Sequence, residues 1–418
     1  MKTSPQQADS RSRSIAIAVF ALPILGYTAG LPEYIEFSGV SLHLVVALAL
    51  GALGWIRGAM GPSVGRYLRW SALLAVWFLM SSIATWRSDT IRQSLIASVW
   101  LVIVGPGIAN LLRDVVHRRA LLAGMIVAAL HYSFTAIGRR LTGREMFDLP
   151  LPSRALLLGE KRGFVNARLL YVIPFLVSNV PGVFRRARWL IVGFAGATVL
   201  LSGDRASLLV VPVVALTFAL LQPGGNRRVR TLLALGLTAL VFLIAIDQFG
   251  GQSVVGRNRL LSFVRGERTT SDDIRELQLK RAWHVGVEHP AFGIGYGNLA
   301  GLDHPALDEA RNSSLRGRAQ NFGVHNTYAQ IFGELGVPGA AALLLLLGSV
   351  FAAGIKRRGD PEVRAAMSGY SGLLVTMMVN PMSLPFLYLV LAYLVGLFDD
   401  VSRRSEEVPN TDRDASSA

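Results

Sequence analysis

Apolar runs of about 16 to 20 residues recur along this 418-residue chain, and they decide what it can fold into. Each is long enough to carry an α-helix across a hydrocarbon core about 30 Å thick. Charged residues make up only 17% of the chain, against about 25% in soluble proteins, which argues against a large water-soluble enzyme. A membrane β-barrel would alternate apolar and polar residues over about ten positions per strand, and no segment does so. The expected fold is an all-α polytopic membrane protein. Twelve candidate spans are read at roughly 15–31, 40–56, 70–86, 93–112, 120–138, 164–181, 189–203, 206–222, 231–249, 338–354, 365–380 and 382–397. The stretch 189–222 holds only Asp204 and Arg205 as charges. One helix of that length would measure about 51 Å, so it is read as a hairpin turning at Ser202-Gly203-Asp204-Arg205.

Short basic loops set the expected orientation. Arg57/Arg66/Arg69, Arg113/Arg118/Arg119, Arg185/Arg186/Arg188, Arg227/Arg228/Arg230 and Lys356/Arg357/Arg358 occupy every second loop, and Arg403 and Arg404 follow the last span. Lys and Arg accumulate on the cytoplasmic side of membrane proteins, so both termini are placed in the cytoplasm of a bacterial inner membrane. The polar N-terminus leads into a retained first span. The expected division is spans one to nine over 1–249, an external loop over 250–337, spans ten to twelve over 338–397, and a polar cytoplasmic tail over 398–418.

Two external loops are nevertheless basic. Residues 139–163 carry Arg139, Arg140, Arg144, Arg154, Lys161 and Arg162, and 250–337 carries ten further cations. Arg168 and Arg205 lie close by in the expected topology. Such an outer face is suited to receiving an anion. The same cations also fit contact with lipid or lipopolysaccharide phosphates. Arg205 alternatively reads as a snorkelling hairpin residue.

The long loop shows helical signals. Ser271, Asp272 and Asp273 read as an N-cap with an acidic first turn, opening a helix to about Glu288, before His289-Pro290. Arg275 and Arg281 sit on it about 120° apart. Gly293-Ile294-Gly295-Tyr296-Gly297-Asn298 looks like a phosphate loop. A dinucleotide site needs a strand before it and a helix after it, so the glycines are read as permitting a tight turn or a close backbone approach. Asn326 can cap a helix leading through Gly336 and Pro338 into span ten, with His325 at its external rim. Glu334, nine residues on, is read as structural. Asp303, Asp308 and Glu309 are alternative bases. Cysteine is absent, which removes thiolate chemistry and Cys-ligated metals.

These pieces resemble the O-antigen ligase family, within the O-antigen ligase and polymerase superfamily. The resemblance rests on His325-Asn326-x-Tyr328-x5-Glu334-Leu335-Gly336-x2-Gly339, on His289-Pro290-x2-Gly293-Ile294-Gly295-x-Gly297-Asn298 with an arginine-bearing helix upstream, and on Ser202-x-x-Arg205. Gly163-Phe164-x-Asn166-x-Arg168 also fits the start of the sixth span. It implies a C-type glycosyltransferase with its active site in the periplasm. Such an enzyme would transfer a polysaccharide from undecaprenyl pyrophosphate to lipid A–core, metal-independently and with inversion. It requires no cofactor and no nucleic acid, and its partners are the two lipid-linked substrates and membrane lipids. Carried over by residue, the resemblance implies catalytic roles for His325, Arg205 and Arg275, with Arg281 as the alternative loop arginine. Substrate contacts would fall to Arg281, Arg168, Asn166, Arg154, Arg162, Arg140, Asn326 and Tyr328.

The chemistry fits these residue types. Guanidinium groups bind phosphate oxygens bidentately and stabilise charge that develops as a pyrophosphate departs. A histidine with an ordinary pKa of about 6.5 can take the proton of an attacking sugar hydroxyl. Polymerisation of O-antigen or exopolysaccharide, and oligosaccharide transfer to a protein, use the same donor and remain open. A transporter would want a polar midplane site and inverted repeats, and no such repeat is evident.

Overall fold

The computed structural model describes residues 36–37, 40–86, 88–126, 130, 162–178, 186–201, 205–226, 270–321, 323–379 and 384–407. Over these the chain is built of helices joined by turns and loops, with one short antiparallel pairing, Glu36–Phe37 with Val40–Ser41. That pairing precedes α1 (Leu42–Ile56). The following helices are α2 (Pro62–Thr85), α3 (Ser88–Val99), α4 (Gly105–Leu111), α5 (Arg162–Val177), α6 (Arg188–Leu201) and α7 (Arg205–Leu220). Then come α8 (Thr270–Glu288), α9 (Ser313–Asn321), α10 (Thr327–Lys356), α11 (Pro361–Val379) and α12 (Leu384–Glu407). The expected spans at 15–31 and 231–249, and most of 120–138, lie outside the described residues.

Three stretches among the described residues are long and apolar enough to cross a membrane: Pro62–Thr85, Ser88–Leu111 and Thr327–Lys356. The second joins α3 to α4 through a π-helical turn, Trp100–Val104. Pro106 follows that turn and lacks the N–H that a regular ladder would use, so the helix widens by one residue. Where α1 crosses α4 the backbones almost touch. A Cβ on Gly54 would lie 1.8 Å from the Gly107 carbonyl oxygen, the close approach that small residues allow in membrane helices.

Helix α6 ends at Leu201 and α7 begins at Arg205; the turn expected at Ser202-Gly203-Asp204 lies outside the described residues. These helices pack with α5 and α11 as one cluster, in which Gly372 on α11 meets Val210 and Val214. The central helix is α12. From Phe386 to Val395 every residue is buried, whichever side of the helix it occupies. A helix apolar all round is a core helix, and α2, α4, α10 and α11 pack against it.

One boundary moves. The polar segment from Asp399, expected as tail, continues α12 to Glu407. Asp399 and Asp400 are buried because both are used. Asp399 accepts the Ser63 and Val64 amides at 2.8 and 3.3 Å, supplying the cap that Gly61 lacks at the start of α2. Asp400 accepts from Arg118 at 2.7 Å, and Arg118 also meets Glu362 at 3.1 Å. A fully buried guanidinium is tolerable only with such partners. Residues 408–418 lie outside the described residues.

Candidate active site

The helix expected over 271–288 is α8, with Asp272 and Asp273 in its first turn. Residues three apart on a helix are neighbours, so Arg275, Gln278 and Arg281 form a short row. The row divides by burial. Gln278 is fully buried, and its Oε1 accepts a hydrogen bond from His325 Nδ1 at 2.7 Å. An amide oxygen can only accept, so Nδ1 carries the proton and Nε2 keeps its lone pair. Arg275 lies close enough to the imidazole for its charge to matter. Burial first, then Arg275, hold His325 below the usual histidine range. The Arg275 Nε is itself buried and has no hydrogen-bond partner among the described residues.

Arg281 has a different task. It is completely buried, and its Nη1 donates to the carbonyls of Leu302 and Gln320 at 3.1 and 3.0 Å. Burial lowers its pKa to about 10, with Glu334 opposing the shift. Of the two loop-helix arginines, Arg275 therefore faces the histidine and Arg281 fastens the loop to α8.

His325 is held from its C-terminal side by α10. Asn326 Oδ1 accepts the Ala329 amide at 2.9 Å, the N-cap expected from the sequence. Tyr328 reaches away from the site to α11, where its hydroxyl donates to the Leu374 carbonyl at 3.1 Å. Helix α10 then breaks at Gly336, whose φ of 71° and ψ of −169° are non-helical, and resumes toward Lys356. A Cβ on Gly336 would stand 2.5 Å from the Pro290 carbonyl oxygen.

The glycine-rich segment fills that notch. Gly293, Gly295 and Gly297 all have positive φ, a region open to glycine. The Gly295 amide donates to the Glu334 carbonyl at 2.9 Å. The buried Glu334 carboxylate accepts from the Leu299 amide at 3.3 Å and from Gln330 at 3.2 Å. Glu334 is structural, as its distance from His325 along the helix suggested. The end of α2 closes the arrangement. Trp77 Nε1 donates to Leu335 at 2.8 Å, Ser81 Oγ contacts the Glu334 and Phe292 carbonyls, and the Trp77 and Phe292 rings stack. The loop is thus mounted on membrane helices.

The alternative bases are engaged elsewhere. Asp303 and Asp308 pair with Arg316 at 2.9 and 2.5 Å, and Glu309 pairs with Lys280 at 2.6 Å. Those cations hold Asp303 and Glu309 below the usual carboxylate range, which makes them weaker bases.

The remaining expected residues fall as follows. Arg162, Asn166 and Arg168 lie on the first two turns of α5, and Arg205 opens α7; their side chains are outside the described residues, as are Arg140 and Arg154 altogether. The helix register still places their backbones. Tyr171 of α5 meets Gly369, and Val210 of α7 meets Gly372. Gln278 had no sequence signal beyond its place midway between two arginines.

Comparison with known proteins follows this geometry. Residues 190–344 match the family model described as O-antigen ligase. No curated protein matches the chain. A solved structure described as "Structural coordination of polymerization and crosslinking by a peptidoglycan synthase complex" aligns with 84% of this chain and 99% of that chain, at 18% identity and a TM-score of 0.44.

Proposed function

Since residues 190–344 belong to the O-antigen ligase family, we propose that this membrane protein transfers O-antigen polysaccharide from undecaprenyl pyrophosphate to lipid A–core. The observation that carries the reading is the trio on α8 and just ahead of α10: a histidine with Nδ1 engaged by Gln278, beside an arginine whose buried Nε has no hydrogen-bond partner among the described residues. In this reading the arginine-rich end faces the cytoplasm and His325 faces the periplasm.

The acceptor hydroxyl gives its proton to His325 Nε2 as its oxygen attacks the anomeric carbon of the donor. The bond from that carbon to the pyrophosphate oxygen breaks on the opposite face, which inverts the centre. Arg275 takes up the charge growing on the departing pyrophosphate. Arg205 assists it from the start of α7, where the helix dipole also favours an anion. Asn166, Arg168 and Arg162 at the start of α5, with Arg140 and Arg154, bind the donor's charged head. Asn326 and Tyr328 act through position, by setting His325 at the rim. No metal or cofactor enters these steps.

The test is transfer in vitro by full-length protein, with polysaccharide on its lipid carrier and rough lipopolysaccharide as acceptor. His325→Ala, Arg275→Ala and Arg205→Ala each lose about 10²-fold or more, while transfer persists in excess EDTA. Wild-type transfer by His325→Ala overturns the reading. A deletion strain whose lipid A–core carries single repeat units would assign a polymerase instead of a ligase.

A further inference from the structure

At the opposite end of the bundle from His325 lies a cavity of about 590 Å³. Helix α2 separates the two. Its Thr85 end meets the glycine loop and its Pro62 end meets Asp399, about 36 Å apart by helical rise. Arg57, Arg113, Arg403 and Arg404 line the cavity, against Asp114 and Asp400. Asp400 is already shared by Arg118, Arg403 and Arg404 at 2.7, 2.9 and 3.2 Å. Arg57 and Arg113 have no carboxylate partner among the described residues. Arg57 Nη1 lies 3.3 Å from the His117 ring nitrogens, and Arg113 Nη1 donates to Ala59 and Asn110. Two guanidiniums thus stand in one concave wall with most of their donors available.

The wall has an apolar margin. Trp55 and Ile56, beside Arg57, are exposed, as is Ile103, whose carbonyl accepts from Trp55 Nε1 at 2.9 Å. Apolar side chains and a tryptophan at this depth suit the boundary between acyl chains and headgroups. From the paired arginines, the cavity and this apolar margin, we infer that the cavity binds the phosphate of an anionic phospholipid, with the acyl chains running along α1. Guanidinium recognises phosphate, and basic pockets between helix ends take up anionic headgroups. Such a lipid would tie the ends of α1, α4 and α12 together on the far side from the transfer site. A soluble phosphate shares the headgroup chemistry but makes no use of the apolar margin.

Native mass spectrometry of the full-length protein in phosphatidylcholine nanodiscs, titrated with phosphatidylglycerol, tests this without either transfer substrate. Wild type retains phosphatidylglycerol in preference to phosphatidylcholine. Arg57→Gln with Arg113→Gln lowers that preference about 25-fold, at about fivefold per arginine. Arg69→Gln, exposed on α2 at the same end and outside the cavity, changes it less than about twofold. An equal loss in Arg69→Gln, or no preference in wild type, overturns the site. Displacement by millimolar inorganic phosphate overturns the lipid in favour of a soluble anion. If thermal unfolding shows the double variant misfolded, Arg403→Gln decides: about a fivefold loss supports the site and no loss overturns it.

Discussion

His325 suits the proposed role of base because its surroundings favour the neutral imidazole. Burial and the Arg275 charge both disfavour the imidazolium and hold the pKa below its usual value of about 6.5. In the proposed reaction the neutral form is the active one, so transfer is expected to be constant above the folded pKa and to fall as pH drops through it. The folded state also binds fewer protons than the unfolded chain in that window. Stability is therefore complete above about pH 6.5 and declines on acidification toward the folded value. Arg275→Ala removes a repelling charge, so the acid limb of kcat/KM shifts upward as the rate falls. Gln278→Glu places a carboxylate on Nδ1 and shifts the limb further up. A pH–rate series on the three proteins checks this, and an acid limb unmoved in Arg275→Ala would separate the arginine from the histidine. The histidine and two arginines were visible in the sequence as chemistry-bearing types. Burial alone divided Arg275 from Arg281, and Gln278 carries no charge or motif to mark it.

Helix ends and breaks hold these side chains in place. The limits of α8 were legible, because Asp272, Asp273 and the His289-Pro290 pair are local signals that need no tertiary partner. The Asn326 cap was legible for the same reason. The notch at Gly336 was not, since it exists only where Pro290 and Gly293 press against α10. Asn326→Ala is expected to cost about 1 kcal/mol. Gly336→Ala forces a side chain into a backbone region that only glycine tolerates and against a carbonyl, at a cost on the order of 1–3 kcal/mol. Both lower the thermal unfolding temperature in detergent, Gly336→Ala the more. Transfer falls in parallel because the helix below His325 tilts. A Gly336→Ala protein with unchanged melting and transfer would remove the kink from the argument.

The whole molecule sets two chemically different ends about 36 Å apart along α2. One gathers Arg57, Arg113, Arg118, Arg403 and Arg404 around Asp400; the other gathers His325, the glycine loop and α8. The absence of cysteine makes their orientation easy to measure. A cysteine at Asp308, exposed beside α9, should react with an impermeant maleimide applied from the periplasm. One at Glu406, exposed near the end of α12, should react only after the inner membrane is opened. Labelling of both from one side would refute the two-ended arrangement.

The sequence by itself determined that the chain is helical and membrane-bound, which loop carries the candidate site, and which residue types that site offers. These follow from run length, local caps and charge, all short-range properties. Tertiary structure decided that α12 is the central helix, that Asp399 caps α2 from more than 300 residues away, and that a glutamine holds the histidine. Such contacts join segments remote in the chain, and their energies depend on burial and distance, which a linear sequence does not contain.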